Sequence, residues 1–216
     1  MKNAIADIVI IKMENAIINQ KKEGYLSYVG HEFCDRMINF SVFDNNCVVL
    51  LPILGEDKIE ELEKNYYKIK NNEIIVNDWG TLHLLESLGH KKITIGRWLS
   101  RKIIPDIISD ARAFDIDAKR MEIDYFDLQK IVKNKELFRD FQFSYHYPYV
   151  PVTITRRCSS QNKYYGSCTE CSKKIVTNKS CNIRFLLIGN TLMIKTKKPL
   201  IQSSLIDRMV YNGQTE

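Results

Sequence analysis

The chain has few of the residues that mark phosphate loops, flexible linkers and membrane spans. Its 216 residues include nine glycines and five prolines, and the glycines are too scattered to build a phosphate-cradling loop. No segment approaches the roughly 20 apolar residues that cross a bilayer. The net charge of +6 is spread along the chain, without the clustered basic stripe that is typical of nucleic-acid-binding proteins.

The common hydrolytic motifs are also missing. There is no H-E-x-x-H of zinc peptidases and no G-x-S-x-G of serine hydrolases. The Cys-x3-Cys-x2-Cys of radical S-adenosylmethionine enzymes is absent as well. The four histidines are widely separated, and His83 and His90 fall on or just after a predicted helix, where surface or packing roles are expected. The residues therefore give no support to a proteolytic mechanism.

The first residues are predicted to form a strand rather than a secretion signal. Asp7 and Lys12 flank a short apolar run, whereas a signal peptide has a longer uncharged core and a small-residue cleavage site. We therefore expect a cytoplasmic protein without a membrane partner. In a reducing compartment the six cysteines are expected to be metal ligands or thiols rather than disulfides.

Short β-branched runs alternate with amphipathic segments along most of the chain. We predict strands at 8–11, 25–29, 47–54, 74–76, 93–95, 121–123, 141–145 and 150–154, and helices at 56–70, 81–88 and 126–138, with a further helix interrupted by Pro105. This alternation indicates an α/β fold with a parallel sheet, either open or closed into a barrel. A complete (β/α)8 barrel takes about 250 residues, so a barrel here is expected to be short or truncated.

The pattern changes in the last quarter of the chain. Residues 155–200 form a cysteine-rich segment followed by a predicted β-hairpin, with strands at 185–188 and 192–195 around Gly189-Asn190. No linker or repeat separates this segment from the rest. We therefore predict one domain, residues 1–216, with a barrel-like parallel sheet, a C-terminal cysteine-rich loop and a hairpin.

The strongest chemical signal is the spacing Cys158-x9-Cys168-x2-Cys171-x9-Cys181. Four thiols within 24 residues are soft ligands that suit either structural zinc or a [4Fe–4S] cluster. Two further cysteines lie upstream. Cys47 opens an apolar strand and is predicted to be a small buried residue. Cys34 follows a strand and Gly30, at the end where parallel α/β proteins place their sites, so it is a credible distal ligand.

Three residues are candidates for catalysis or substrate binding. Asp78 and Arg97 follow two predicted strands, where barrel enzymes gather their catalytic groups. Asp78 has an alternative role as a helix N-cap. The planar guanidinium of Arg97 suits a carboxylate, with a solvated surface arginine as the alternative. His146 lies in Tyr-His-Tyr-Pro-Tyr before the cysteine region, either lining an aromatic pocket or filling an aromatic core corner.

These segments together resemble the collagenase-like "unclassified peptidase" family. The similarity is greatest to its subgroup of iron–sulfur accessory proteins for oxygen-independent hydroxylation in ubiquinone biosynthesis. The matching segments cover most of the chain in the family's order: Tyr-Val-Gly-His-Glu-Phe-Cys-Asp-Arg at 28–36, Val-Asn-Asp-Trp-Gly at 76–80, Gly-Arg-Trp-Leu at 96–99, and 151–158 with the two following cysteines.

The resemblance implies a barrel and a [4Fe–4S] cluster held by Cys34, Cys158, Cys168 and Cys171. It also implies assistance to a redox modification of a small anionic or aromatic substrate, or of RNA, with a related protein as partner subunit. The chain differs from the family in its tighter late spacings, in its shorter length and in Cys181, an alternative fourth ligand. A non-catalytic scaffold with a structural zinc site, and a hydrolase as the family label suggests, are the alternative functions.

Overall fold

The computed structural model describes residues 8–12, 25–30, 47–110, 116–154, 157–158, 163–164, 173–178, 183–188, 191–196 and 205–211. The chain forms a curled sheet covered by helices, and a separate antiparallel sheet follows it. The strands are β1 (Ile8–Lys12), β2 (Tyr25–Gly30), β3 (Val48–Leu50), β4 (Glu73–Val76), β5 (Ile93–Ile95), β6 (Arg120–Ile123), β7 (Gln142–Tyr147), β8 (Tyr149–Ile154), β9 (Arg157–Cys158), β10 (Lys163–Tyr164), β11 (Lys173–Asn178), β12 (Ile183–Ile188), β13 (Thr191–Lys195) and β14 (Ile206–Tyr211).

Four α-helices connect the parallel strands. They are α1 (Glu56–Asn65), α2 (Trp79–Ser87), α3 (Arg97–Ser109) and α4 (Tyr125–Lys133). Short 3-10 turns, Tyr66–Lys68 and Lys135–Phe138, follow α1 and α4. Each helix thus begins within a few residues of the preceding strand, as expected for compact βα units.

Six consecutive strands, β2 to β7, pair in parallel and curl into a half-barrel. At the β7 edge, β14 adds a further parallel strand. β1 then pairs antiparallel with both β14 and β2 and closes the ring. The predicted parallel sheet is confirmed, and β14, which the sequence pattern missed, supplies the strand next to β7.

The antiparallel sheet has the order β11-β12-β13-β8, and β9 pairs with β10 in a short ribbon. The predicted hairpin is confirmed, since β12 and β13 pair antiparallel and Ile188 lies opposite Thr191. The predicted cysteine-rich segment contains β11 as well. Its Cys168, Cys171 and Cys181, like Cys34 near the start of the chain, lie outside the described residues.

The main core lies between the parallel sheet and the helices. Strand side chains that point outward from the barrel pack against Leu62, Leu85, Ile103 and Leu128 of the four helices. Cys47 belongs to this core, so the prediction of a buried small residue is confirmed. A second cluster, formed by Val48, Leu50, Ile75 and Val210, lies inside the barrel.

Two local predictions from the sequence were wrong. The apolar run predicted as a strand at 47–54 is extended only over Val48–Leu50, and its remaining residues lead to α1. Pro105 was expected to interrupt its helix, yet α3 continues through it. Proline removes one backbone donor, but Ile103, Ile104 and Ile107 are buried on the core side while Pro105 lies on the exposed side. Their packing holds the helix together.

Candidate functional site

The carboxyl ends of the parallel strands form one rim of the barrel, and the three candidate catalytic residues lie at or directly after these ends. Asp78 follows β4, Arg97 follows β5, and His146 is the last residue but one of β7. In α/β barrels this rim carries the active sites. The sequence predicted this end of the sheet for Asp78 and Arg97, and the structure places both there and His146 beside them.

Asn77 connects three elements at this rim. Its Nδ2 donates to the carbonyl of Leu51 at 2.8 Å, and its Oδ1 accepts from the backbone N–H of Trp98 at 3.1 Å. The side chain lies against Gly96, where an added Cβ would be 2.3 Å from Oδ1. Only glycine permits this approach. The Gly-Arg-Trp segment is therefore fixed to the end of β4 by a buried amide.

Asp78 acts as the N-cap of α2. Its Oδ1 accepts from the Thr81 N–H at 2.7 Å. Its Oδ2 accepts from the Thr81 hydroxyl at 2.8 Å and from the Leu54 N–H at 3.1 Å. The carboxylate thus caps a helix and fixes the preceding loop, which is the alternative role that its position suggested. A catalytic role for Asp78 stays a prediction without support from this geometry.

Arg97 is one of the largest fully buried side chains. It is the first residue of α3, and its Nη1 donates to the carbonyl of Tyr149 at 3.3 Å. Tyr149 is the first residue of β8, the strand that leads to Cys158. The alternative of a solvated surface arginine is wrong. Arg97 instead links the β5 end of the rim to the start of the segment that precedes the late cysteines.

His146 and Glu122 form a buried pair inside the barrel near the same rim. The His146 Nε2 lies 2.9 Å from the Glu122 Oε1, and both side chains are fully buried. His146 is on β7 and Glu122 on β6, and each precedes the last residue of its strand. The imidazole faces a carboxylate, and the aromatic pocket or aromatic core corner expected around His146 stays a prediction. Such a pair suits proton transfer.

The interior of the barrel is unusually polar on the side of these strands. Barrel interiors are mostly filled by branched apolar side chains. Here the inward positions of β4, β5, β6, β7 and β14 carry Glu73, Thr94, Arg120, Glu122, Ser144, His146 and Arg208. The ionic groups form two layers, with Glu73, Arg120 and Arg208 towards the amino ends of the strands and the histidine–glutamate pair near the carboxyl rim.

A further polar cluster, missed by the sequence reasoning, lies where α3 and α4 begin. Asp124 caps α4 through the Phe126 N–H at 3.0 Å and pairs with Arg101. Burial and the neighbouring Asp124 charge raise the pKa of Asp127 to about 6. Burial, then Asp124 and Tyr125, raise the pKa of Tyr145 to about 12. A signal for this cluster was present in the sequence: in Ile-Asp-Tyr-Phe-Asp, the last residue of a strand is followed directly by Asp124, a residue type that caps helices.

Surface or packing roles were predicted for His83 and His90, and the structure agrees. His90 is buried, and its Nδ1 lies 3.0 Å from the Tyr66 hydroxyl. Burial lowers the pKa of His90 and outweighs the hydrogen bonds that act to raise it. His83 is exposed on α2, 3.7 Å from Glu86. Neither belongs to the carboxyl rim.

The structure describes one of the predicted metal ligands, Cys158, through its backbone. It pairs with Lys163 in the β9–β10 ribbon. The other predicted ligands lie outside the described residues. Within the described ranges no group of three or more histidine, cysteine, aspartate or glutamate side chains is placed to hold a metal ion, and no helix is long and apolar enough to cross a membrane.

The strand register relates β2, which precedes Cys34, to the end of β7, after which the chain continues through β8 to the late cysteines. Tyr147 of β7 pairs with Tyr211, Tyr211 with Val9, and Val9 with Ser27 of β2. These steps cross three strand spacings, so Tyr147 and Ser27 are at most about 14 Å apart. β2 continues three residues beyond Ser27 to Gly30, so its carboxyl end lies about 10 Å further along the strand direction than the level of Tyr147. Comparison with protein-family models, curated proteins and solved structures finds no match for this chain.

Proposed function

We propose that the protein is an iron–sulfur protein that assists a redox modification, such as oxygen-independent hydroxylation, of a small anionic or aromatic substrate. In this proposal Cys34, Cys158, Cys168 and Cys171 hold a [4Fe–4S] cluster at the carboxyl rim of the barrel. The proposal rests on the resemblance of the four sequence segments and on one structural observation: β2, which precedes Cys34, and β7, after which the chain continues through β8 to the late cysteines, both end at the carboxyl rim of one barrel.

The distances along the chain are compatible with this ligand set. Cys34 is four residues beyond Gly30, the end of β2, and four residues of extended chain reach about 13 Å. Cys158 is four residues beyond Ile154, the end of β8. Thiolates are the ligands that iron–sulfur clusters require, and neighbouring Arg156, Arg157 and Lys163 would offset part of their negative charge. When bound, such a cluster supplies one-electron transfer.

The described side chains at the rim suit a substrate that carries negative charge. Arg97 supplies a fixed cation at the end of β5, and Glu122 orients the His146 imidazole inside the barrel mouth. These buried groups lie at the end of a parallel barrel where active sites are placed, which supports a functional role. We propose that Arg97 attracts the anionic group and that His146 exchanges a proton with the substrate. A related protein as partner subunit and an RNA substrate stay part of the proposal without a described contact.

Anaerobic purification followed by metal analysis tests the cluster. We expect iron and acid-labile sulfide together with a broad visible absorption band. Single Cys158→Ser, Cys168→Ser and Cys171→Ser changes should each abolish the band, because a hard hydroxyl replaces a soft thiolate. Cys47→Ala is the matched control: this cysteine is buried in the core away from the rim, so its loss should leave the band intact.

Three other outcomes would reject the proposal. Stoichiometric zinc with no visible band would make a structural zinc scaffold the better interpretation. Full cluster occupancy in Cys168→Ser protein would remove the trio from the site. Peptide hydrolysis that survives removal of all metal would instead favour the hydrolase that the family label suggests.

A further inference from the structure

The positive charge of the chain is concentrated in residues 155–200, although the sequence indicated an even spread. This segment contains ten lysine and arginine residues and one acidic residue, Glu170, which gives it a net charge of +9. The whole chain carries +6, so the remaining residues sum to −3. At most two basic residues are adjacent within the segment, which is why a search for basic runs along the sequence does not reveal the excess.

The strands of this segment bring basic residues together. Each of β9 to β13 includes lysine or arginine, and none includes aspartate or glutamate. Phe185 of β12 lies opposite Ile194 of β13, so one step further along the register Arg184 and Lys195 are neighbours on one face of the sheet. Both are exposed, and among the described residues neither has an ion-pair partner. Like charges directly opposite on neighbouring strands are destabilising, so this arrangement favours an anionic partner.

The two cations lie at the end of the antiparallel sheet that adjoins the carboxyl rim of the barrel. Lys195 pairs with Tyr149, the first residue of β8, and the carbonyl of Tyr149 accepts from the Arg97 guanidinium. Arg184 is one strand further away, so its backbone is roughly 10 Å from that of Tyr149. The basic surface, which we define as strands β9 to β13 around Arg184 and Lys195, is therefore close to the rim at which the cluster is proposed.

We propose that the basic surface docks a small acidic electron-transfer protein that accepts electrons from the cluster. This inference rests on the proposed function. When water supplies the oxygen, hydroxylation breaks a carbon–hydrogen bond and forms a carbon–oxygen bond, and it releases two protons and two electrons. The electrons leave one at a time through the cluster, so an outside one-electron carrier must take both in two encounters. The protons pass to solvent, and RNA or a lipid surface could not accept the electrons.

The charge and the exposed side chains of the surface suit such a carrier. A [4Fe–4S] cluster with four thiolates has a net charge of about −2, which offsets only a small part of the +9 of the segment. Exposed Ile175, Val176 and Ile183 lie on the same strands, and apolar side chains among cations suit a protein surface better than a phosphate backbone. Electron-transfer complexes use small interfaces, below about 1,200 Å², that form rapidly through opposite charge.

Stopped-flow reduction of acidic cytochrome b5 and of basic cytochrome c tests the docking, since both haem proteins accept one electron. Anaerobically purified protein, reduced with dithionite and freed of the excess, should reduce cytochrome b5 about 10-fold faster at low than at high salt. Reduction of cytochrome c should not slow with salt. Arg184→Glu with Lys195→Glu should slow the cytochrome b5 reaction about 10-fold at low salt. Lys70→Glu with Lys91→Glu is the matched control: both lysines are exposed before the amino ends of β4 and β5, and the rate should change less than about two-fold.

Binding to immobilised cytochrome b5 provides a second measurement that needs no electron transfer. Cys168→Ser protein, without its cluster, should still bind in a salt-dependent manner but reduce neither haem protein. Cluster-loaded protein that binds cytochrome b5 no better than cytochrome c, or that is unaffected by the Arg184 and Lys195 changes, would overturn the docking and leave the cluster intact. Tighter binding of an RNA oligomer or of phosphatidylserine vesicles at the same salt would also overturn it. Wild-type protein without iron would reject the proposed function, and this inference with it.

Discussion

Arg208 and Glu73 form an ion pair that spans the interior of the barrel. Its Nη1 and Nη2 donate to the two oxygens of the Glu73 carboxylate at 2.6 and 2.8 Å. Glu73 begins β4 and Arg208 lies on β14, and in the closed ring these strands are four steps apart in either direction. A bidentate pair of this geometry is among the stronger side-chain interactions. It ties the last described strand to the middle of the parallel sheet.

Replacement of Glu73 should therefore lower the free energy of unfolding. Glu73→Gln leaves a buried guanidinium without its anion, and we expect a loss of about 2–4 kcal/mol in the free energy of unfolding at pH 7. Urea denaturation measures it. Glu60→Gln is the control, because Glu60 pairs with Lys64 at 3.7 Å on the exposed face of α1, and such a pair contributes less than about 1 kcal/mol. Equal losses for both variants would contradict the importance of the cross-barrel pair.

The same pair predicts a pH dependence. Burial acts to raise the pKa of Glu73, but the hydrogen bonds and charge of Arg208, with help from Thr94 and Arg120, outweigh it and hold the pKa below its usual range. A carboxyl group of this kind stabilises the fold above its unfolded pKa of about 4.3. That contribution is lost as the pH falls through the lowered folded pKa. The stability difference between wild type and Glu73→Gln should therefore shrink at pH 3.

Asp127 should have the opposite effect. Its folded pKa of about 6 lies above the unfolded value, so the folded state binds more protons and its stability falls as the pH rises from about 4 to 6. Asp127→Asn removes the cost of burying this charged carboxylate and should stabilise the protein at pH 7 by up to about 2 kcal/mol. A favourable interaction of the carboxylate with the N-terminus of α4 would reduce this gain.

Thermal or urea unfolding at pH 4 and pH 7 checks the Asp127 prediction. The higher unfolding free energy of Asp127→Asn relative to wild type should be present at pH 7 and absent at pH 4. Asp117→Asn is the control, since Asp117 is exposed and lies 3.9 Å from Lys91, and surface substitutions change stability by about 0.5 kcal/mol or less. A loss of stability at pH 7 in Asp127→Asn would show that the charged carboxylate is needed.

Gly96→Ala should destabilise the rim. Its Cβ would lie 2.3 Å from the Asn77 Oδ1, and overpacking of this kind costs about 1–3 kcal/mol. Gly55→Ala is a close control, because both glycines are helix N-caps with similar extended dihedral angles. The added Cβ at Gly55 meets only the end of the Asp57 side chain at 3.0 Å. Chemical denaturation should show a larger loss of unfolding free energy for Gly96→Ala than for Gly55→Ala. The cost of Gly96→Ala should be smaller when it is introduced into Asn77→Ala protein than when it is introduced into wild type.

The fourth cluster ligand is the last prediction. Cys34→Ser should lose the cluster and Cys181→Ser should keep it, because the resemblance assigns the early ligand to Cys34 and β2, which precedes it, ends at the carboxyl rim of the barrel as β7 does. Anaerobic iron and sulfide analysis of the two variants decides between them. The reverse result would transfer the site to Cys181, where a loop of modest length favours local closure around zinc.

Much of the fold could be predicted from local pattern. Amphipathic segments after short β-branched runs predicted α1, α2 and α4, and the strands at 74–76, 93–95 and 121–123 are present within one residue. Asp78 was recognised as a possible N-cap because capping depends on a few adjacent residues. Pro105 misled the prediction, since the burial of isoleucines on the far side of α3 is a tertiary effect.

The sequence alone determined the alternation of strands and helices, and with it the rim on which Asp78 and Arg97 lie, because helical and strand periodicities are local properties of the chain. Only the tertiary structure decided that β14 and β1 close the sheet, that Glu122 faces His146, and that Glu73 meets Arg208 from 135 residues away. The members of each pair are distant in sequence. They meet because both side chains point into the barrel and because a buried charge needs a partner. A local sequence pattern shows neither condition.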